Sequence, residues 1–441
     1  MNPSPKQYHR DGDADADADT ERLQRYVDVL DDVLDYARER DYKGWDYGDG
    51  MSSRLLLSVP IDNRWFNLAV QEFIKRSPVN VRPLFLVEKR RNFKGITLFA
   101  MANRTRAQLA EWFDGDRPAE TYRDDAASLT EWLVENQAKG YSGFAGSHRH
   151  VIQHISGRNG PRSGIPHSPN IVSTAYGVKA LLAGREFDPD YPDIAKTAVD
   201  VMLNDLNYRP KDDGAVMDYY LSHPKDSYTL NALAIGARLF VELYDYFGDE
   251  ELLERAEKVY DFVASKQTDR GGWYYREPAS ASHLSMDNHH NGFIVECFQR
   301  YEQLVGSGRY DETLERGLDF YARELFDEDG APNFDEEHPY PRDIHATAQG
   351  ILVFTYAGQY DRAERAIDWA LANMYVPSEG RFYFRKHRFY TKRMTLMRWC
   401  QAWMAYAIAE YVATRISGEP THGYGIDADG IERLRAAAER P

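Results

Sequence analysis

The amino-acid sequence predicts an all-α protein in which six helical hairpins close into an (α/α)6 toroid, joined by short strand-like loops. Three observations carry this. Apolar residues recur at helical spacing with one wet face, as in Leu252, Leu253, Ala256, Val259, Tyr260 and Val263. Between such stretches lie helices that are apolar most of the way round; residues 229–244 read TLNALAIGARLFVELY, which suits burial on several sides. Glycine-marked turns also return at near-constant distance, Gly214, Gly272, Gly330 and Gly380 being separated by 58, 58 and 50 residues.

Taken in chain order, residues 1–20 alternate Asp and Ala and predict a disordered acidic tail. Residues 21–415 read as one toroid domain without a linker, and 416–441 as a C-terminal extension. Gly44-Trp45 and Gly143-Phe144 mark degenerate early turns of the repeat. Residues 60–125 fit the period worst, so an insertion in the first hairpins is expected there. Later outer helices follow from Leu314, Leu318, Tyr321 and Leu325, and from Ala363, Ala366, Ile367 and Ala370, with inner helices over 292–304 and 346–356.

Composition narrows the function classes. The 441 residues carry 54 basic and 70 acidic side chains, a net charge of −16, so whole-chain charge argues against gripping nucleic acid or an anionic membrane. Arginine outnumbers lysine 40 to 14, and an acidic, lysine-poor surface points to a halophilic source. Two cysteines, Cys297 and Cys400, in apolar segments suit a reducing cytoplasm. No signal peptide is visible, and the apolar stretch 402–413 is too short to span a bilayer. The expectation is a cytoplasmic protein without a membrane span. Phosphate-loop, dinucleotide and nucleophile-elbow motifs are absent from the sequence, and no cofactor is expected.

In a ring of hairpins, the loops that precede the inner helices gather at one end of a central funnel. Here they carry Asp226-Ser227-Tyr228, then Asp287-Asn288-His289-His290, then Arg342-Asp343-Ile344-His345. The Asp-x-His pairs stand 56 residues apart, with Asp226 in a similar place one repeat earlier. An acidic residue before a helix is commonly a cap. Two carboxylates facing one pocket could instead serve as general acid and base in glycoside chemistry, and a histidine pair could remove and return a proton beside a sugar carbonyl. Asp287, Asp343, His289 and His345 are therefore the candidate catalytic residues. Candidate substrate contacts are Asp226, Tyr228, Trp273, Tyr275, His290, Arg342, Trp45 and Asp46, the aromatics because sugar C–H faces stack on rings. Arg54, Arg82, Lys94 and Arg342 could recognise a carboxylate. No metal is expected, because the adjacent histidines His289 and His290 diverge on a helix and, with His345, make no i, i+4 pair in a metalloprotease-like arrangement. His148, His150, His154 and His167 lie in the Gly-rich run 143–169, which is long enough for a lid.

The stretches PNIVSTAYGVKALL (169–182), SMDNHHNGFIVECFQRY (285–301), YPRDIHATAQG (340–350) and GWDYGDGMSS (44–53) resemble a family of six-hairpin glycosidase-like proteins encoded in polysaccharide and glycosylation gene clusters. With the acidic composition, the likeness is to haloarchaeal members serving surface-layer N-glycosylation, and it covers residues 40–415. The resemblance implies a cytoplasmic role on a lipid-linked glycan rich in hexuronic acids, alongside other glycosylation enzymes. Related six-hairpin enzymes include unsaturated glucuronyl hydrolases, which rely on acidic residues, and N-acylglucosamine 2-epimerases, which rely on histidines. Hydrolysis, epimerisation and a non-catalytic glycan-binding role all stay open at this point.

Overall fold

The computed structural model describes residues 14–61, 63–148, 167–221 and 226–426. Its helices are, in order, α1 (Ala14–Arg38), α2 (Arg54–Ser58), α3 (Arg64–Arg76), α4 (Phe93–Leu109), α5 (Ala119–Glu135), α6 (Ile171–Ala183), α7 (Tyr191–Lys196) and α8 (Ala198–Asp200), the last continuing into a π-helical turn. They are followed by α9 (Leu230–Phe247), α10 (Glu250–Ser265), α11 (Asn288–Val305), α12 (Asp311–Glu324), α13 (Ile344–Tyr356), α14 (Tyr360–Asn373) and α15 (Trp403–Ser417). The strands between them are two or three residues long.

Packing sorts these helices into two rings. Helices α4, α6, α9, α11, α13 and α15 touch in that order, and α15 returns to α4, closing the inner ring. Each is backed by the helix that follows it, except that α15 is backed by α1. The protein is thus an all-α (α/α)6 toroid, closed by its own two ends. The sequence explains the sorting. Every residue of α6 and α13 is buried, whereas α10 buries the stripe Leu252, Ala256, Val259, Tyr260 and Val263 and leaves its other face wet.

The glycine repeat has a steric cause. A Cβ on Gly330 would lie 2.3 Å from the backbone of Arg365 on α14, and one on Gly214 would lie 2.2 Å from the Lys258 carbonyl on α10. Both have positive φ, 86° and 135°, where only glycine is unstrained. Each loop therefore presses on the outer helix of the following hairpin. In the second repeat the residue that does so is Gly271, against Arg316, while Gly272 meets the Phe320 ring.

Three boundaries move. Residues 14–20, expected in a tail, are the first turns of α1, and Asp19 pairs with Arg415 of α15 at 2.6 Å. At the other end, residues 418–426 fold back onto the ring. Thr421 Oγ1 and the Gly423 amide donate to Glu410, and His422 stacks on Tyr356 with centroids 3.8 Å apart. Residues 427–441 lie outside the described residues. The insertion is also narrower than 60–125, because α4 and α5 already form a regular hairpin. What stands outside the rings is the stretch holding α2 and α3, which has a small core of its own around Ile74, Val81 and Val87.

Because each outer helix returns the chain, the inner helices run parallel and their N-termini meet at one end. Asn92, Asn170, Asp287 and Asp343 cap α4, α6, α11 and α13 there by accepting a backbone N–H. That end carries the positive poles of the inner-helix dipoles.

Candidate active site

Helices α11 and α13 are neighbours in the ring, so the two Asp-x-His pairs lie side by side at the end where the inner helices begin. They are built differently. Asp287, 2% exposed, accepts the His290 amide at 3.3 Å as an N-cap. Its second oxygen lies 2.7 Å from His290 Nδ1, and its first lies 3.4 Å from His289 Nδ1. Burial pushes this carboxyl up, but the two imidazoles outweigh burial and hold it below the usual Asp value. One carboxylate thus orients two histidines.

Asp343 turns away from the pocket. It caps His345 at 2.9 Å, accepts Trp399 Nε1 at 2.7 Å and binds the Arg385 guanidinium. Its oxygens are occupied, and no bond reaches the ring of His345. Among the described residues, neither ring nitrogen of His345 has a hydrogen-bond partner, although the residue is only 2% exposed. The His345 ring lies between His289, stacked at 4.9 Å, and Trp403, stacked at 4.6 Å, with Trp399 edge-on at 4.5 Å. Burial, then neighbouring histidines and cations, depress the basicity of His289 and His345 well below the ordinary value. Both imidazoles are therefore neutral at pH 7, one tied to a carboxylate and one with free nitrogens.

The surroundings are aromatic and cationic. The Lys94 amine, at the start of α4, sits 4.6 Å from the ring centroids of Tyr176, Phe293 and Trp403. It makes no hydrogen bond or ion pair among the described residues, and burial, followed by Arg398 and Arg238, lowers its basicity well below that of a free lysine. Asp46 holds Arg398 bidentately at 2.8 and 2.9 Å. Tyr47 stacks on Trp399 at 4.8 Å, and Tyr275 lies against His290 at 4.3 Å.

The structure thus brings Asp287, His289, His290, His345 and Tyr275 together, with Asp343 and Asp46 bracing the wall through Arg385 and Arg398. Other sequence candidates fall elsewhere. Trp273 is a core residue: its indole donates to the Val263 carbonyl at 2.9 Å and stacks on Phe298. Asp226 is exposed, and the cap position of α9 belongs to Thr229, three residues later. Tyr228 packs on Phe262 of the outer helix α10. Arg342 pairs with Asp327 and the Pro332 carbonyl, and Trp45 donates to the Val87 carbonyl at 3.0 Å. Of the four basic candidates, Arg82 is locked to Asp49 and Arg54 to Glu88, so Lys94 alone enters the pocket. His150 and His154, and most of the Gly-rich run, lie outside the described residues.

Sequence reasoning missed Trp399, Trp403, Arg385 and Arg398. A signal existed in the aromatic and basic run 381–403, whose Met397–Ala402 segment is a π-helical turn that carries Trp399 into the pocket. As for metal, Asp287, His289 and His290 present ligand atoms within 4.8 Å of one another, the grouping among the described residues able to hold an ion. The Asp287 oxygens already face the two imidazoles, and His345 is stacked on His289 rather than aimed at a shared centre.

No family model matches the chain, and no curated protein matches it by sequence. Solved structures do resemble it. The cellobiose 2-epimerase from Bacillus thermoamylovorans superposes with a TM-score of 0.56 at 14% identity, covering 74% of this chain and 89% of that one. A D-mannose isomerase gives 0.55 at 10% identity, with 74% and 87% covered. A GH76 α-mannanase from Bacteroides thetaiotaomicron gives 0.53 at 12% identity, with 74% and 88% covered. No helix among the described residues is long and apolar enough to cross a membrane. These likenesses place the chain in the (α/α)6 toroid fold shared by six-hairpin glycosidases and sugar epimerases.

Proposed function

We propose that this protein is a sugar-processing enzyme that moves a proton at a carbon next to a carbonyl or carboxylate, an epimerase or isomerase rather than a hydrolase. The observation that carries the reading is the pair of stacked imidazoles, His289 and His345, in a pocket where each carboxylate is already engaged. Glycoside hydrolysis needs one carboxylic acid and one carboxylate free to reach the glycosidic oxygen and the anomeric carbon. Here Asp343 serves Arg385 and Trp399, Asp46 serves Arg398, and Asp287 serves two histidines. A neutral imidazole suits removal of a proton, and the imidazolium it becomes supplies the proton that balances the return step. In this reading the aspartates position the site and the histidines do the acid–base work.

For the substrate we infer a hexuronic acid of a lipid-linked glycan, which in a haloarchaeal setting is assembled for surface-layer N-glycosylation. Support comes from the resemblance of the stretches around Asn170, Asp287 and Asp343, and from the cations Lys94, Arg385 and Arg398 around the pocket. Chemistry adds a constraint. A sugar joined to a lipid carrier has its anomeric carbon locked, so no aldehyde can acidify C2. A uronate still offers the proton at C5, beside the carboxylate. His345 takes that proton and becomes an imidazolium, the enediolate forms beside Arg385 and Arg398, and a water delivers a proton to the opposite face of C5, the hydroxide so formed being neutralised by the imidazolium proton. Proton transfer at C2 of a free reducing sugar is the second reading, favoured by the fold shared with the cellobiose 2-epimerase.

Incubation in deuterium oxide tests both. Uronyl glycosides should acquire deuterium at C5, and a free aldose should acquire it at C2 under the second reading. Release of reducing ends without carbon-bound deuterium would refute proton transfer. Mass spectrometry of surface-layer glycopeptides from a deletion strain tests the pathway, and a normal glycan there would remove that assignment.

A further inference from the structure

The stretch that interrupts the toroid shows a surface of unusual chemistry for this chain. Trp65 is 66% exposed, Phe73 55%, Val79 65%, Leu84 75% and Leu86 57%, and Phe389 at the tip of a hairpin is 89% exposed. These belong to one region. Phe73 meets Phe85 at 5.8 Å, the Arg54 amide donates to the Leu86 carbonyl, and Lys392, on the hairpin bearing Phe389, donates to the Arg76 carbonyl at the end of α3. Clustered large apolar side chains on a soluble domain mark an interaction surface.

Its charge runs against the whole molecule. Residues 54–91 carry eight basic and three acidic residues, and 385–393 carry five basic and none acidic, in a chain of net charge −16. Arg54, Arg76, Lys89, Arg90, Arg388 and Arg393 are exposed on this face. Beside it a groove of about 460 Å³ is lined by five basic side chains, of which Arg40, Lys43 and Arg381 pair with Glu39, Asp41 and Glu379, while Lys89 and Arg393 make no ion pair among the described residues. Whole-chain charge argued against an anionic surface as partner; segregation of the charge reverses that for this one face.

We propose that this face docks peripherally on a bilayer carrying anionic lipid, with Trp65, Phe73 and Phe389 entering the headgroup boundary and the groove taking a headgroup phosphate. The rest of the surface is strongly acidic, so repulsion leaves a single orientation of approach. That orientation sets the funnel beside the membrane. The Lys75 amine lies 5.4 Å from the Tyr47 ring, which in turn stacks on Trp399 in the pocket wall. The inference does not depend on which sugar reaction the pocket performs.

Vesicle co-sedimentation of the full chain tests it. The probes are phosphatidylcholine vesicles and vesicles in which about a third of the lipid is phosphatidylglycerol, at ionic strengths from about 0.1 M upwards. Wild type should pellet with the anionic vesicles and not the neutral ones. Trp65→Ser with Phe389→Ser, and separately Arg76→Glu with Arg388→Glu, should each lower partitioning about tenfold or more, with circular dichroism unchanged because all four side chains are exposed. Absence of binding at every ionic strength, equal binding to both vesicles, or variants that bind like wild type would overturn the proposal. So would a concentration-dependent dimer in analytical ultracentrifugation that either double variant abolishes, because the face would then belong to a second copy.

Discussion

Replacing His345 by leucine separates catalysis from architecture more sharply than any other change in the pocket. A structural histidine deep in a protein normally has a polar partner, and removing it leaves that partner unsatisfied. His345 has none on either nitrogen among the described residues and is 2% exposed. A buried polar group without a partner costs about 1–3 kcal/mol, so leucine, of similar volume, recovers that amount. Against this stands the lost stacking on His289 and Trp403, about 0.5–1.5 kcal/mol. The balance is about zero to 2 kcal/mol in favour of the variant. Unfolding entropy for 441 residues is about 0.9 kcal/mol per degree, so Tm should rise by up to roughly 2 °C in scanning calorimetry. Deuterium incorporation should meanwhile fall about 10²- to 10⁴-fold, the range for loss of a general acid or base. A variant with near-normal turnover, or a Tm lower by more than about 3 °C, would refute the assignment of His345 as a proton-transfer residue.

Burial holds His289, His345 and His422 neutral in the folded state, while the unfolded chain protonates near pH 6.5. The unfolded state then binds more protons below that pH, so stability drops as pH falls through 6.5, with a slope that approaches about 1.4 kcal/mol per unit for each histidine about one unit lower. Integrated from pH 6.5 to 5.5 this is about 1 kcal/mol for each histidine, so three together predict a Tm lower by about 3 °C at pH 5.5 than at 6.5, and His345→Leu should remove about a third of that drop. Asp343→Asn leaves the half-buried Arg385 without its partner and should cost about 3–5 kcal/mol, with Tm and turnover falling together. Trp273→Ala should cost about 3–5 kcal/mol through its cavity, with KM unchanged, since the indole faces Val263 and Phe298; a raised KM at unchanged stability would return Trp273 to the substrate.

The toroid was legible because its repeat is enforced by contact. Where a loop backbone must touch the next outer helix, only glycine fits, and the marker recurs at the length of one hairpin. The Asp-x-His spacing was legible for a related reason, since neighbouring inner helices begin in the same register. What the sequence could not separate was the cap from the acid. Asp287 and Asp343 are both N-caps, and only the second has its remaining oxygen taken by an arginine 42 residues later on a separate hairpin. Asp226 misled by three residues, the offset that puts Thr229 at the helix start. Trp273 misled because a ring in a loop before an inner helix reads alike whether it turns to the funnel or, as here, between the helix layers. Lys94 could be named only as one of four cations, because its selection depends on three rings contributed by α6, α11 and α15.

The electrostatics of the pocket bear on why imidazoles suit the proposed proton transfer. The inner-helix N-termini, Lys94, Arg385 and Arg398 set a positive potential in an otherwise acidic protein. That potential, with burial, lowers the basicity of His289 and His345, which weakens each as a base toward a sugar C–H. The same potential stabilises the negative charge that develops on the substrate as the proton leaves. The loss is felt at one imidazole nitrogen, whereas the gain applies to an enediolate whose charge spreads over two oxygens facing several cations. A carboxylate base in this pocket would pair with an arginine, as Asp343 does with Arg385, and would compete with the substrate for that cation. Neutral imidazoles add no further carboxylate to compete for arginines that Asp343 and Asp46 already hold in place, and that makes a histidine pair, flanked by aspartates that orient the walls, the arrangement suited to proton transfer beside an anionic group.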